Sequence, residues 1–122
     1  GPQNAEETEQ TYDTLDKQME DPYSIYNFVK QTISIRNAFP EIARGTNTFE
    51  KDLSNDNVCI FTREYNGEKA VLIFNPSKDE ASVDVSSLGV NDAVAMLQTT
   101  KKAPSYKDGT AKLPAYSVLV LK

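Results

Sequence analysis

The sequence predicts a mainly β fold, an antiparallel Greek-key β-sandwich of about six to eight strands preceded by one α-helix. Three features predict it. A helical signal occupies "DPYSIYNFVKQTISIRNAFPEIARGT", residues 21 to 46, and is stopped by Pro40. Beyond Gly45, short runs rich in Val, Ile, Leu, Phe and Thr recur with turn residues between them. Between the first two runs stands Asn66-Gly67, the strongest short hairpin signal a sequence offers. The 122 residues suffice for one ordinary core and not for two.

In chain order, residues 1–21 form an acidic leader with a charge balance of −6, while the rest of the chain carries +1 of the total of −5. Weakly apolar and strongly charged, it is expected to be a solvated, disordered tail. Gly1-Pro2 resembles the remnant of a cleaved tag, so the sequence reads as a piece cut from a longer chain, and a missing signal-peptide pattern carries no information on compartment. Residues 22–40 read as the helix. Asp21 suits the N-cap, Pro22 suits the first helical position, and Ser24 precedes the apolar positions Ile25, Phe28, Val29 and Ile33. At about 100° per residue Ile25, Val29, Thr32 and Arg36 share one side, which places an arginine within the buried stripe. Arg36 is therefore expected to bind carbonyls or an acid between Pro40 and Asp56, and Ile25, Phe28, Val29 and Ile33 to pack on the sandwich. Residues 46–122 are the sandwich, with strands expected in "NVCIFTREY", "KAVLIFNP", "ASVDVSS", "AVAMLQ", "TAKLP" and "YSVLVLK". "VCIF" and "AVLIF" are apolar at successive positions, so both faces of those strands should be covered, one by the opposing sheet and the other by the helix.

Chemistry-bearing motifs are scarce. The chain has no histidine and a single cysteine, Cys59, which reads as a small core hydrophobe. There is no Gly-rich phosphate loop, nucleophile elbow or metal-ligand spacing. The acid pairs Glu6/Glu7 and Asp79/Glu80 have the residue type of a glycosidase dyad, which needs carboxylates about 5 to 9.5 Å apart across a cleft. Placed in a tail and a turn, they read as solvated charges. No basic footprint for nucleic acid is present, and no run approaches the roughly 18 apolar residues of a membrane helix. These residues describe a binding or structural module, expected to be a monomer.

The order Gln18, Asp21-Pro22, Ser24, "NFVKQTISIRNAFPEIARGT", "FTREYNGEKAVLIFNPS" and "DGTAKLPAYSVLVLK" resembles the C-terminal end of α-amylase-type glycoside hydrolases, over about residues 18 to 122. In that family a D-P-x-S start, a helix ending in arginine, proline and glycine, a hairpin reaching Asn-x-Ser, and a closing L-P-x-x-S-x-x-x-L follow one another. The resemblance implies that residues 22–40 are the last helix of a catalytic (β/α)8 barrel, that the leader is a loop on its active-site face, and that Arg36 lies in the seam between barrel and sandwich. It implies a parent that cleaves α-glucosidic bonds of starch or maltodextrins with retention, using carboxylates upstream of this chain. No catalytic, cofactor or metal residue maps here, and any calcium of the parent would be held by loops elsewhere. The partners implied are the barrel and an α-glucan, with no nucleic acid and no membrane, and an extracellular or cell-surface location is favoured over a cytoplasmic one. The role expected is a structural cap on the barrel. The alternatives are a carbohydrate-binding surface using Tyr65, Tyr106 and Tyr116, or an independent adhesion-like sandwich.

Overall fold

The structure, a computed structural model, describes residues 14–23 and 25–122, with the side chains of residues 25, 26, 28 and 29 outside the description. Part of the expected leader is ordered: Leu15–Glu20 forms helix α1, whose N-cap Thr14 accepts the Lys17 N–H. Leu15 and Met19 stand one turn apart on it, both exposed. The expectation for residues 1–13 lies outside the described residues.

The main helix, α2, runs over Ile25–Ala38 and starts later than residue 22. Asp21 is the C-cap of α1, and its Oδ1 accepts the Tyr23 N–H at 2.9 Å, bending the chain at Pro22. The Asn27 amide then donates to the carbonyls of Gln18, Met19 and Asp21, three of the acceptors that the end of α1 leaves open. Pro40 ends α2 as expected and also opens a further helix, α3 (Pro40–Arg44), because a proline at the first helical position forfeits no hydrogen bond.

Eight antiparallel strands follow: β1 (Thr46–Phe49), β2 (Cys59–Tyr65), β3 (Glu68–Asn75), β4 (Ala81–Asp84), β5 (Ala93–Leu97), β6 (Ser105–Lys107), β7 (Thr110–Leu113) and β8 (Ser117–Leu121). They form a five-stranded sheet, β1-β2-β3-β8-β5, and a three-stranded sheet, β4-β7-β6. The chain changes sheet from β3 to β4, β4 to β5, β5 to β6 and β7 to β8, so the fold is the β-sandwich the sequence predicts. Asn66-Gly67 turns β2 into β3, and Asp108-Gly109 turns β6 into β7; both pairs have positive φ, the geometry that matches the twist of a tight hairpin.

The inner faces meet in one core. Ile60, Val71, Ile73, Leu119 and Leu121 come from the larger sheet and Ala111 and Leu113 from the smaller, with Val58, Val85 and Val90 closing the ends. Each such side chain contributes about 1.5–3 kcal/mol relative to exposure. Cys59 lies outside this cluster: it is opposite Phe74 on the outer face and only partly buried.

One polar residue is built into the sandwich. Asn75 is 1% exposed; its Nδ2 donates to the carbonyls of Asp79 (2.8 Å), Leu113 (3.1 Å) and Pro114 (3.0 Å), and its Oδ1 accepts from the Ser77 N–H and hydroxyl. The run Asn75-Pro76-Ser77 thereby fastens the end of β3 to the turn between β7 and β8.

The outer face of the larger sheet is covered too, but by more than one helix. α2 lies against β5, and α3 lies against β2 and β3. Under them Ala70, Leu97, Val118 and Val120 are buried. The side of α2 turned inward is displaced from the expected stripe: Ile35 is half-buried, as is Phe39 just beyond the helix, whereas Thr32 and Arg36 are exposed and Ile33 is 55% exposed. The packing expected of Ile33 is therefore not made, and that expected of Ile25, Phe28 and Val29 lies outside the described side chains.

Candidate functional site

The outer face is where the leading helices are fastened to the sandwich. α3 brings Glu41 down onto the sheet, where it is 2% exposed. The β3–β8 register carries Lys122 to the same place, and its Nζ stands 2.8 Å from Glu41 Oε1 and 3.5 Å from Glu68 Oε2. Glu41 Oε1 has no hydrogen bond otherwise among the described residues, so the ammonium is what compensates its burial. The Phe39 ring lies 5.8 Å from the same Nζ.

Burial alone would push the Glu41 carboxyl up, but the Lys122 ammonium and the residue's own backbone N–H hold it below the ordinary 4.5. The hydrogen bond to Glu41 raises Lys122 above its ordinary 10.5 against a smaller effect of desolvation. Each shift stabilises the fold where both groups are charged. The Glu41 contribution is present above pH 4.5 and lost as pH falls through its lower folded value; the Lys122 contribution is present below pH 10.5 and lost as pH rises through its higher one. In melts recorded across the acid range, the parent chain should lose stability below pH 4.5, and Glu41→Gln is expected to flatten that loss. Identical profiles would remove Glu41 from the junction's energetics.

The contact expected of Arg36 is made by a different arginine. Arg63, midway along β2, donates from Nη2 to the Ile42 carbonyl at 2.6 Å and from Nε to the Glu41 carbonyl at 3.5 Å. Both carbonyls belong to α3, whose C-cap Gly45 N–H also donates to that of Glu41 at 3.0 Å, and a planar guanidinium reaches the two at once. Arg36 is exposed, and its side chain makes no hydrogen bond or ion pair among the described residues. Because Lys offers one point charge where Arg offers a fork, Arg63→Lys should cost about 1–2 kcal/mol in urea unfolding. Arg36→Lys should leave the midpoint unchanged.

Gly45 completes the junction. A Cβ there would lie 2.2 Å from the Glu41 carbonyl and 2.8 Å from that of Glu64, so the helix exit and β2 meet backbone to backbone.

Beside this junction the cover stops. A groove of about 280 Å³ remains on the outer face, lined by Ile42, Asn47, Phe61, Arg63, Leu72 and Phe74. Phe61 stacks edge-on against Phe74 at 5.8 Å and tilted against Phe49 at 5.2 Å, and Phe49 is 49% exposed.

The three tyrosines considered for sugar do not converge. Tyr65 is at the hairpin end of β2, whereas Tyr116 adjoins Ser117, which pairs with Asn75 at the far end of β3. Tyr106 lies in the other sheet with its hydroxyl donating to the Val90 carbonyl. Tyr116 alone is well exposed. Among the described residues no group of His, Cys, Asp or Glu could hold a metal ion, and no helix is long and apolar enough to cross a membrane.

Glu41, Arg63 and Lys122 escaped the sequence reading, and Gly45 was read only as the boundary between helix and strands. A faint signal existed for Arg63, a charge close behind the apolar run "VCIF" whose two faces were both expected to be covered. None existed for Glu41 and Lys122, which pairing alone brings together.

The family model for maltogenic amylase C-terminal domains matches residues 52–120. Among solved structures, Amy13B of Eubacterium rectale is 98% identical over all of this chain, with a TM-score of 0.90, and this chain spans 24% of it. The trehalulose synthase MutB of Pseudomonas mesoacidophila MX-45 is 23% identical over 88% of this chain, with a TM-score of 0.71; 19% of its own length is covered, and at that identity it supports the fold alone. No curated protein is matched by sequence. A family match over more than half of the chain, on a sandwich of this topology, places it: it belongs to the maltogenic amylase C-terminal domains.

Proposed function

We propose that this domain serves an enzyme that hydrolyses α-glucosidic bonds in starch or maltodextrins, and that it does so structurally, by capping the catalytic (β/α)8 barrel. The observation that carries this reading is the fastening of α3 to the outer face through Glu41, Lys122 and Arg63, with α2 lying against β5 and Ile33 and Arg36 left on its exposed side. A helix held on one side by the sandwich and apolar in part on the other is suited to join two bodies. Arg36 then serves the barrel side of the seam.

In the longer enzyme, Lys122→Met should lower the temperature of irreversible inactivation while leaving kcat and KM on maltoheptaose unchanged well below it. A raised KM with unchanged thermal inactivation would replace the structural role by a substrate-binding one.

A second reading has one observation in its favour. Tyr116 is 53% exposed with φ of 52°, and its backbone is pinned, its N–H donating to the Ser77 carbonyl and its own carbonyl accepting from Thr99 Oγ1. An aromatic face held at such a backbone conformation suits stacking on a pyranose ring. Titration with maltoheptaose would then move the Tyr116 ring resonances and leave Tyr106 unmoved.

A further inference from the structure

We propose that Asn66-Gly67, at the tip of the β2–β3 hairpin, is a site of spontaneous covalent modification, where the folded chain converts an asparagine to isoaspartate through a cyclic imide and so lengthens its own turn.

The chemistry is intramolecular and needs only water. Hydroxide takes the proton of the Gly67 backbone amide, and that nitrogen attacks Cγ of the Asn66 side chain. The N–Cγ bond forms, the Cγ–Nδ2 bond breaks, and the leaving nitrogen takes a proton from water and departs as ammonia. A second water then opens the five-membered imide. Opening at the side-chain carbonyl gives aspartate, and opening at the backbone carbonyl gives isoaspartate. Asn66 is the only asparagine of the chain that a glycine follows, and a glycine nitrogen has no neighbouring Cβ to hinder its approach.

Structure decides which turn is free to react. Asn66-Gly67 and Asp108-Gly109 both have positive φ, and both have the residue types for an imide. The second pair is clamped: the Gly109 carbonyl accepts the Val85 N–H at 2.8 Å, and a Cβ on Gly109 would stand 2.8 Å from the Ser86 Cβ. The first pair is open. Both its residues are exposed, a Cβ on Gly67 would meet nothing within 4 Å, and the Asn66 side chain makes no hydrogen bond among the described residues. The swing that carries the glycine nitrogen to Cγ therefore disturbs no packing at Gly67, whereas at Gly109 it must break a packed contact.

The product does not fit the turn. Isoaspartate inserts a methylene into the main chain, and a two-residue hairpin loop has no slack to absorb it. The Tyr65–Glu68 pairing is lost first, and with it the placement of Glu68, whose Oε2 stands 3.5 Å from Lys122 Nζ.

Incubating the 122-residue chain in mildly alkaline buffer, native and in urea, and mapping tryptic peptides by mass spectrometry with isomer-resolving fragmentation reads each site; Glu64–Lys69 carries Asn66. In urea, Asn66 should deamidate and Asp108 isomerise. In the native chain, Asn66 should convert at least fivefold faster than any other asparagine among residues 14–122, and Asp108 should persist. Asn66→Gly, which the turn also accepts, should keep its mass. Native protection of Asn66 equal to that of Asp108 overturns the proposal. The isoaspartate form, separated by its added charge, should melt below both the parent and Asn66→Asp. Melting together with Asn66→Asp overturns the lengthened turn, since charge alone would then account for the loss.

Discussion

Asn75→Asp should cost roughly 3–5 kcal/mol at neutral pH, the scale of an uncompensated buried charge. The change is nearly isosteric, so packing is preserved and the cost is electrostatic. The Nδ2 that donates to the carbonyls of Asp79, Leu113 and Pro114 becomes an oxygen facing three oxygens. Each stranded acceptor costs about 1–3 kcal/mol, and a whole domain is stable by only about 5–15 kcal/mol. An aspartic acid proton restores one donor, so the folded state prefers the protonated form and the folded pKa is raised above the unfolded one. Stability should therefore be recovered as pH falls and lost as it rises, the opposite sense to the acid limb set by Glu41. Urea unfolding at pH 7 and pH 4 tests both statements, and a variant as stable as the parent at pH 7 would show that the buried amide does not hold the turn.

Gly45→Ala should be the most damaging single-methyl addition at the junction, about 1–3 kcal/mol or somewhat more. Its φ of −73° is open to any residue, so the cost comes from space. The atoms met by a new Cβ are backbone oxygens and nitrogen of Glu41 and Glu64. Moving them disturbs the Thr46–Glu64 pairing of β1 with β2 on one side and the Arg63 contact to α3 on the other. Calorimetry should find a lower transition temperature, and amide exchange should quicken in β1 before it does in the core. An alanine tolerated without change would mean that α3 is free to lift from the sheet.

The strands were legible because burial on two faces leaves an unbroken apolar run, as in "VCIF" and "AVLIF". Asn66-Gly67 was legible because its backbone conformation is nearly confined to such pairs. β1 was missed since "TNTF" has three polar residues and no buried face, and β6 since three residues are too few for a pattern. α1 was hidden by its charge, with Leu15 and Met19 its only apolar signal. Arg36 was singled out over Arg63 because periodicity gives the angular spacing of a helix but not which side the neighbouring sheet will take. The junction required knowledge that β8 pairs with β3, which no local pattern contains.

That pairing also fixes the order in which the domain can be made. β8 is the last strand in sequence yet lies between β3 and β5, with Val71 opposite Leu121 on one side and Leu97 opposite Val118 on the other. As the chain emerges during synthesis, β1, β2 and β3 can form a meander of local pairs, but β5 has no partner in its sheet until residues 117–121 appear. Until that moment β3 is an unpaired apolar edge, the kind of template on which nascent chains associate. Closing the sheet is then a long-range event of high contact order and should be the slow step of folding. Kinetic partitioning between folding and aggregation is thus decided by the arrival of β8.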